Sequence, residues 1–486
     1  MRGWINNCDR SHQLCRIPRQ VGGPKRLLQC LSDGSVRLAS RSPNQRCDYI
    51  ALSYRWGDGT AVPKTTTQTV GFHQRGIPNK ALPPLFQEVA ALARRVNVGY
   101  IWIDSLCIIQ DSPKDREEEM MEMGRIFRGA LVVVVAASAR SPRDSLKGQP
   151  GQSNAWRTAS LIRYEKRDLN VKFRKRPWEA HLYTDATDST PTGERAWCFQ
   201  ERLLASRCWV FRDDEVVWEC RSCCLSREPF QRDGTLRHFA DAEAAYSFWE
   251  TAVKNSSARA LTFDFDRLPA ISAVARTIAE ATGDRYLAGL WRNDLLVGLG
   301  WVANGPENET RRHQEYIAPT WSWASLPVGA FYRRRRSRHD CAFEASVLDA
   351  RTALKGQNPF GPVSDGAIVL SGVHCDAEMT IQTRDFNGQL DFGHGQVEKV
   401  CIGSTDFQTL DFIRVEPDIR VDRLGRTSQY LRRSPNLYRS MDPKSKNAQP
   451  LCSGTVHLLW LEKDVSLILT PSRRRAGAYE RLGIFH

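Results

Sequence analysis

"GYIWIDSLCIIQDSPKDREEEMMEMGRIFRGALVVVVAAS", residues 99–138, packs three elements into one continuous stretch. Its opening, "GYIWIDSLCII" (99–109), is a short apolar and aromatic run and reads as a buried strand. "SPKDREEEMMEMGRIFRGA" (112–130) reads as a helix: Ser112 or Asp115 can cap it, and acids crowd its first turns, where the helix dipole favours them. "ALVVVVAAS" (130–138) is too short to span a bilayer and fits another buried strand. Upstream, "DYIALSYRW" (48–56) reads as a strand stopped by "GDG". Between the first two strands, Leu82, Leu85, Val89, Leu92 and Val96 recur at helical spacing behind Pro83 and Pro84. Strand, helix, strand, helix, strand specifies an α/β domain with a parallel sheet flanked by helices.

The chain has 486 residues and a formal net charge of +14, a length that suits more than one domain. Fourteen tryptophans argue for packed cores rather than disorder. The organisation expected is a lead segment over 1–45, the α/β domain over 46–212 with a polar insertion at about 139–190, a mainly helical region over 213–315, and a β-rich region over 316–486. The start has no apolar core of a secretory signal, and no apolar run approaches a transmembrane length. The fourteen cysteines are mostly scattered, so reduced thiols and an intracellular, cytoplasmic setting are expected. Two arginine runs, "FYRRRRSRHD" (331–340) and "PSRRRAGAYE" (471–480), supply much of the basic charge. They are the sole support for a nucleic-acid-binding reading, and solvated loops account for them more simply.

In open α/β sheets, ligands sit beyond the carboxyl ends of the strands. The first strand ends in Ser53, Tyr54, Arg55 and Trp56, and the second delivers Asp104, Ser105 and Cys107. The hydroxyls, guanidinium, carboxylate and indole of these two ends make a candidate pocket, against the plainer reading of Asp104 as a buried carboxylate closing a turn. Nucleotide-binding glycine loops, the HExxH zinc motif and the GxSxG elbow do not occur. "CDRSHQLC" gathers Cys8, His12 and Cys15 at close spacing, with Cys30 conceivable as a fourth ligand, and "CRSCC" gathers Cys220, Cys223 and Cys224, with Cys208 conceivable beside them. Packed thiols are the simpler reading of both, and no metal is assigned.

Carboxylates remain. A glutamate in an aromatic pocket can stabilise the oxocarbenium character that develops when a bond to a sugar is cleaved. Glu201, in "AWCFQERLL" (196–204), is one candidate, and Asp104, Glu117, Glu118 and Glu119 are others. The plainer reading of the same helix has Trp197, Leu203 and Leu204 forming a core stripe, with Glu201 bonding a strand end or Arg195.

"YIALSYRWGD", "YIWIDSLCIIQDSPKDREEEMMEMGRIF" and "RAWCFQERLLASR", in that order, resemble the fungal heterokaryon-incompatibility (HET) domain. The family's asparagine before glutamine is Ile109 here, and its glycine and threonine in the third motif are Ala196 and Cys198. The resemblance implies a TIR- or flavodoxin-like fold and an effector of non-self recognition and cell death. Such an effector would act by self-association or with another fungal signalling protein. TIR domains that hydrolyse NAD carry a Trp-Cys-x-x-Glu-Leu helix, similar to Trp197, Cys198 and Glu201. That similarity implies NAD as a candidate substrate and Glu201 as the catalytic carboxylate at the ribose. Ser53 and Arg55 would then stand near the phosphates, with Trp56, Asp104 and Trp197 lining the site, and no cofactor or metal is required.

Overall fold

A computed structural model describes residues 1–16, 23–42, 47–59, 62–146, 157–164, 167–173, 190–212, 216–222, 239–304, 313, 315–332, 341, 343–372, 374–381, 400–402, 415–417, 437–439, 452–462, 465–472 and 478–485. The chain divides into two units, Met1–Phe239 and Ala240–His486.

The first unit is built on one sheet. Its strands are β1 (Arg26–Cys30), β2 (Val36–Ser40), β3 (Tyr49–Ser53), β4 (Tyr100–Trp102), β5 (Val132–Ala136), β8 (Arg207–Phe211) and β9 (Val216–Cys220), while β6 (Arg157–Tyr164) and β7 (Arg167–Phe173) pair separately as a hairpin. The spatial order is β2-β1-β4-β3-β5-β8-β9. The inner strands β4, β3, β5 and β8 run parallel, with partners such as Ala51↔Trp102, Ser53↔Val135 and Val134↔Trp209. Antiparallel strands extend both sides, β1 against β4 and β9 against β8. Numbered along the chain, the four parallel strands lie in the order 2-1-3-4, the order in which flavodoxin-like doubly wound sheets begin. The order reverses between β3 and β5, which makes their carboxyl ends the expected place for a ligand.

Helices α1 (Arg2–Ser11), α2 (Val70–Arg75), α3 (Pro84–Arg95), α4 (Asp104–Cys107), α5 (Pro113–Gly129) and α6 (Ala196–Leu204) complete this unit. β3 and β5 are buried at every position, as strands covered on both faces must be. Leu85, Phe86, Val89, Ala90 and Ala93 form the buried stripe of α3, the spacing expected of an amphipathic helix. Ser112, and not Asp115, caps α5, its hydroxyl accepting the Asp115 amide at 3.3 Å.

Two expectations change. The stretch 1–45, expected as a lead segment, supplies a helix and two strands of the sheet. The strand expected over 99–109 spans only Tyr100–Trp102 and then turns into α4. The Asp104 carboxylate takes the Ser105 amide at 2.7 Å and the Trp56 indole N–H at 2.8 Å, and the Cys107 amide turns back to the Ile103 carbonyl at 2.8 Å. Those local bonds compete with the ladder and end it. Farther on, Ile109 meets only Thr65 as a single parallel bridge.

The second unit begins with the helices α7 (Ala242–Ser257), α8 (Ser272–Thr282) and α9 (Leu295–Gly298). Tyr246, Trp249, Tyr286 and Trp291 form an aromatic core, with Trp249 edge-on to Trp291 at 5.6 Å. Strands follow, among them the hairpin Ser346–Leu354 with Val363–Ser371 and the antiparallel set His374–Ile381, Cys452–Glu462, Val465–Pro471 and Tyr479–Phe485. Buried Arg481 donates to the Leu299 and Trp301 carbonyls at 2.6 Å each, its guanidinium 3.9 Å from the Trp301 ring centre. Asp241 caps α7 by accepting the Ala244 amide at 2.7 Å. Replacing it with alanine is expected to lower stability by about 1 kcal/mol, read as a lower denaturation midpoint. Of the arginine runs, 333–340 and 473–477 lie outside the described residues, as do Cys223, Cys224 and most of 139–190. Among the described residues no helix is long and apolar enough to cross a membrane.

Candidate functional site

Beyond the carboxyl end of β3, the chain has to leave a buried strand and turn. Gly57 makes that turn possible with φ near +70°, and a Cβ there would stand 2.9 Å from the Ser141 Cβ. The turn presents Tyr54, Arg55 and Trp56 in sequence, next to Asp104 at the end of β4. Helix α6 then packs against β3 and brings Glu201 to the same place.

The Ser53 hydroxyl, fully buried, donates to Glu201 Oε2 at 2.6 Å across 148 positions of sequence. Trp56 donates its indole N–H to Asp104 Oδ2 at 2.8 Å. The half-buried Arg195 gives a guanidinium N–H to the Tyr54 carbonyl at 3.1 Å and lies over the Trp56 ring at 5.7 Å. Lys64 lies over the same ring, with Nζ 5.4 Å from its centre. The Cys198 thiol points to the Tyr54 carbonyl at 3.7 Å, and the Tyr54 hydroxyl donates to Ser105 Oγ at 3.1 Å. One strand end, one helix start and one helix face therefore share a single polar cluster.

The cluster holds two acids beside one guanidinium. Burial pushes the Glu201 carboxyl up to about 7; the Ser53 hydrogen bond and the Arg195 charge oppose the rise, and the Asp104 charge adds to it. Burial also raises Asp104, against the Arg195 charge and the Trp56 hydrogen bond. For Arg195, burial disfavours the cation, but Cys198, Asp104 and Glu201 outweigh it and hold the guanidinium firmly charged. Glu201 is thus a carboxyl group close to half-ionised near neutrality, the condition under which an acid can exchange a proton or switch a hydrogen bond.

Of the residues expected from sequence, Ser53, Trp56, Asp104 and Glu201 come together. Arg55 turns outward and pairs with Glu194 at 2.9 Å, both well exposed. Trp197 is half-buried and packs against the hydrophobic core, while Leu203 and Leu204 are buried, matching the plainer reading of that stripe. Glu118 and Glu119 belong to another group on α5. Glu118 pairs with Lys25 at 2.5 Å, and buried Glu119 has Arg26 at 3.8 Å. Glu117 stands on the same helix. Arg195 is the cluster's central cation and Glu194 the partner of Arg55. Their adjacency at the start of the third motif was the available signal, but pairings this distant in sequence cannot be read from spacing.

Residues 49–201 match the model of a family described as heterokaryon incompatibility protein (HET). The match begins at the first residue of β3 and ends at Glu201. No curated protein and no solved structure matches the chain.

Proposed function

Because residues 49–201 form a heterokaryon incompatibility (HET) domain, we propose that this chain is an effector of fungal non-self recognition that arrests growth and kills the cell when its HET domain self-associates in a TIR-like manner. The family match carries the reading, and the parallel strand order 2-1-3-4 supports it. The test is induced expression of the full chain in a fungal host, with growth and particle mass followed together. Growth arrest that tracks assembly is the expected result. Unimpaired growth with assembled protein present would overturn the reading.

A second reading is favoured by one observation: the buried Glu201 carboxyl accepts the Ser53 hydroxyl at 2.6 Å at the point where strand order reverses. In this reading the chain is an NAD glycohydrolase. The bond from ribose C1′ to the nicotinamide nitrogen breaks, its electron pair leaves with nicotinamide, and water adds at C1′ and loses a proton to give ADP-ribose. The Glu201 carboxylate stabilises the oxocarbenium-like transition state and orients the ribose hydroxyls. Glu201 is only 6% exposed, and in this reading it is uncovered when the chain assembles. The concentrated full chain is expected to consume NAD, with a rate that rises through pH 7 as the carboxylate forms. Glu201→Gln is expected to be slower by about 100-fold or more. Equal consumption by both proteins removes the role of Glu201, and no turnover by demonstrably assembled protein removes the enzyme reading.

A further inference from the structure

Three cysteines and a histidine converge on one point of the first unit, away from the strand-end cluster. Cys8 lies in the last turn of α1. His12 follows directly as its C-cap, with extended backbone (φ −111°, ψ 101°). Cys15 sits in the short helical turn Gln13–Arg16, whose Cys15 amide bonds the His12 carbonyl at 3.1 Å. Cys220 is the last residue of β9, more than 200 positions later. The sulfur atoms of the three cysteines and a ring nitrogen of His12 all lie within 4.8 Å of one another. His12 Nδ1 is 3.2 Å from Cys220 Sγ. Cys8, Cys15 and Cys220 are buried, at 1%, 7% and 0% exposure, and all three are free thiols. Among the described residues no other set of three or more metal-type side chains converges in this way.

We propose that Cys8, His12, Cys15 and Cys220 bind one structural zinc ion. A tetrahedral zinc with sulfur at about 2.3 Å places its ligand sulfurs roughly 3.8 Å apart, which the cluster accommodates. Three thiolates and one imidazole form a soft, four-coordinate set that selects zinc and, lacking a carboxylate, excludes magnesium and calcium. With every position filled by protein, the ion holds the fold and leaves no site for substrate. Arg207, 2% exposed, donates from Nε to Cys8 Sγ at 3.3 Å and from Nη2 to the Cys15 carbonyl at 3.0 Å, and it pairs with Asp9. A divalent ion with three thiolates carries one net negative charge, and the Arg207 guanidinium, shared with the half-exposed Asp9 carboxylate, offsets part of it. Ser222 Oγ lies 3.8 Å from Cys15 Sγ, a weak further contact. The outer partners of a metal site orient its ligands in this way. The fourth ligand is Cys220, rather than the Cys30 that spacing alone made conceivable. Cys208 directs its thiol to the Arg202 carbonyl at 3.9 Å instead.

The test is elemental analysis of the full chain purified without chelator, with cobalt replacing zinc in a second preparation. About one zinc per chain is expected, with cobalt giving thiolate charge-transfer absorption and the intense visible bands of a tetrahedral ion. Cys15→Ser and Cys220→Ser are expected to lower zinc affinity by at least about tenfold. Cys30→Ser, on β1, is expected to keep the metal. Should the serine variants fail to fold, the cobalt spectrum of the parent chain decides alone. A folded parent chain with no zinc and no tetrahedral cobalt spectrum overturns the proposal. So does full zinc in Cys220→Ser, or a disulfide among these thiols in the freshly isolated protein.

Discussion

Glu201→Gln is expected to flatten the fall of stability with rising pH and to leave the variant more stable than the parent at about pH 8, by up to about 3 kcal/mol. The folded-state pKa of Glu201 is raised from its ordinary 4.5 to about 7. Below the lower value the acid is protonated in both the folded and the unfolded chain, and its relative contribution is fully present. As pH rises, the unfolded chain gives up the proton first. The contribution is lost until the folded state ionises near 7, and stability is flat beyond. Glutamine does not titrate, and its amide oxygen keeps the hydrogen bond from Ser53. The measurement is the denaturation midpoint of both proteins across that window. Glu119, also raised to about 7 by burial, titrates in both and leaves some slope in the variant. Parallel curves would mean that Glu201 ionises as an exposed acid does. Alanine at the same position is not equivalent, because it strands the buried Ser53 hydroxyl, at about 1–3 kcal/mol.

Trp102→Ala is expected to cost about 3–5 kcal/mol, enough to threaten the folded state of the first unit. The indole is fully buried at the end of β4, edge-on to Phe127 of α5 at 5.4 Å and 80°. Truncation removes that contact and leaves a cavity between strand and helix. Trp102→Phe is expected to recover most of the loss, because the ring pair survives. Denaturation of the three proteins checks the order. A small cost for alanine would show that strand and helix collapse onto each other. The second motif thus divides its work: Trp102 fills the core, and Asp104, two residues on, organises the strand end.

How far this was legible depends on sequence distance. β3, α3, α5, β5 and α6 were readable because each carries its own periodicity and stop signals. The register of Ser53 with Glu201 was not, since nothing local to either residue fixes a partner 148 positions away. The same limit applied to the thiols. Cys8, His12 and Cys15 announce themselves by spacing, but Cys220 joins them only because β9 adds to the sheet edge beside β8. β1 and β2 were missed because they are short and half-polar. The early end of β4 was missed because Asp104 reads equally well as a site residue and as the residue that starts a turn.

The docking of residues 8–15 onto residues 207–220 also sets an order on synthesis. At about 5–20 residues per second, residues 8–15 are made roughly 10–40 s before the segment that receives them. Through that interval two thiols, Cys8 and Cys15, later buried, wait without their enclosure, open to oxidation or to a passing metal ion. Completion of the N-terminal fold is therefore timed by the translation of the last two strands of the sheet.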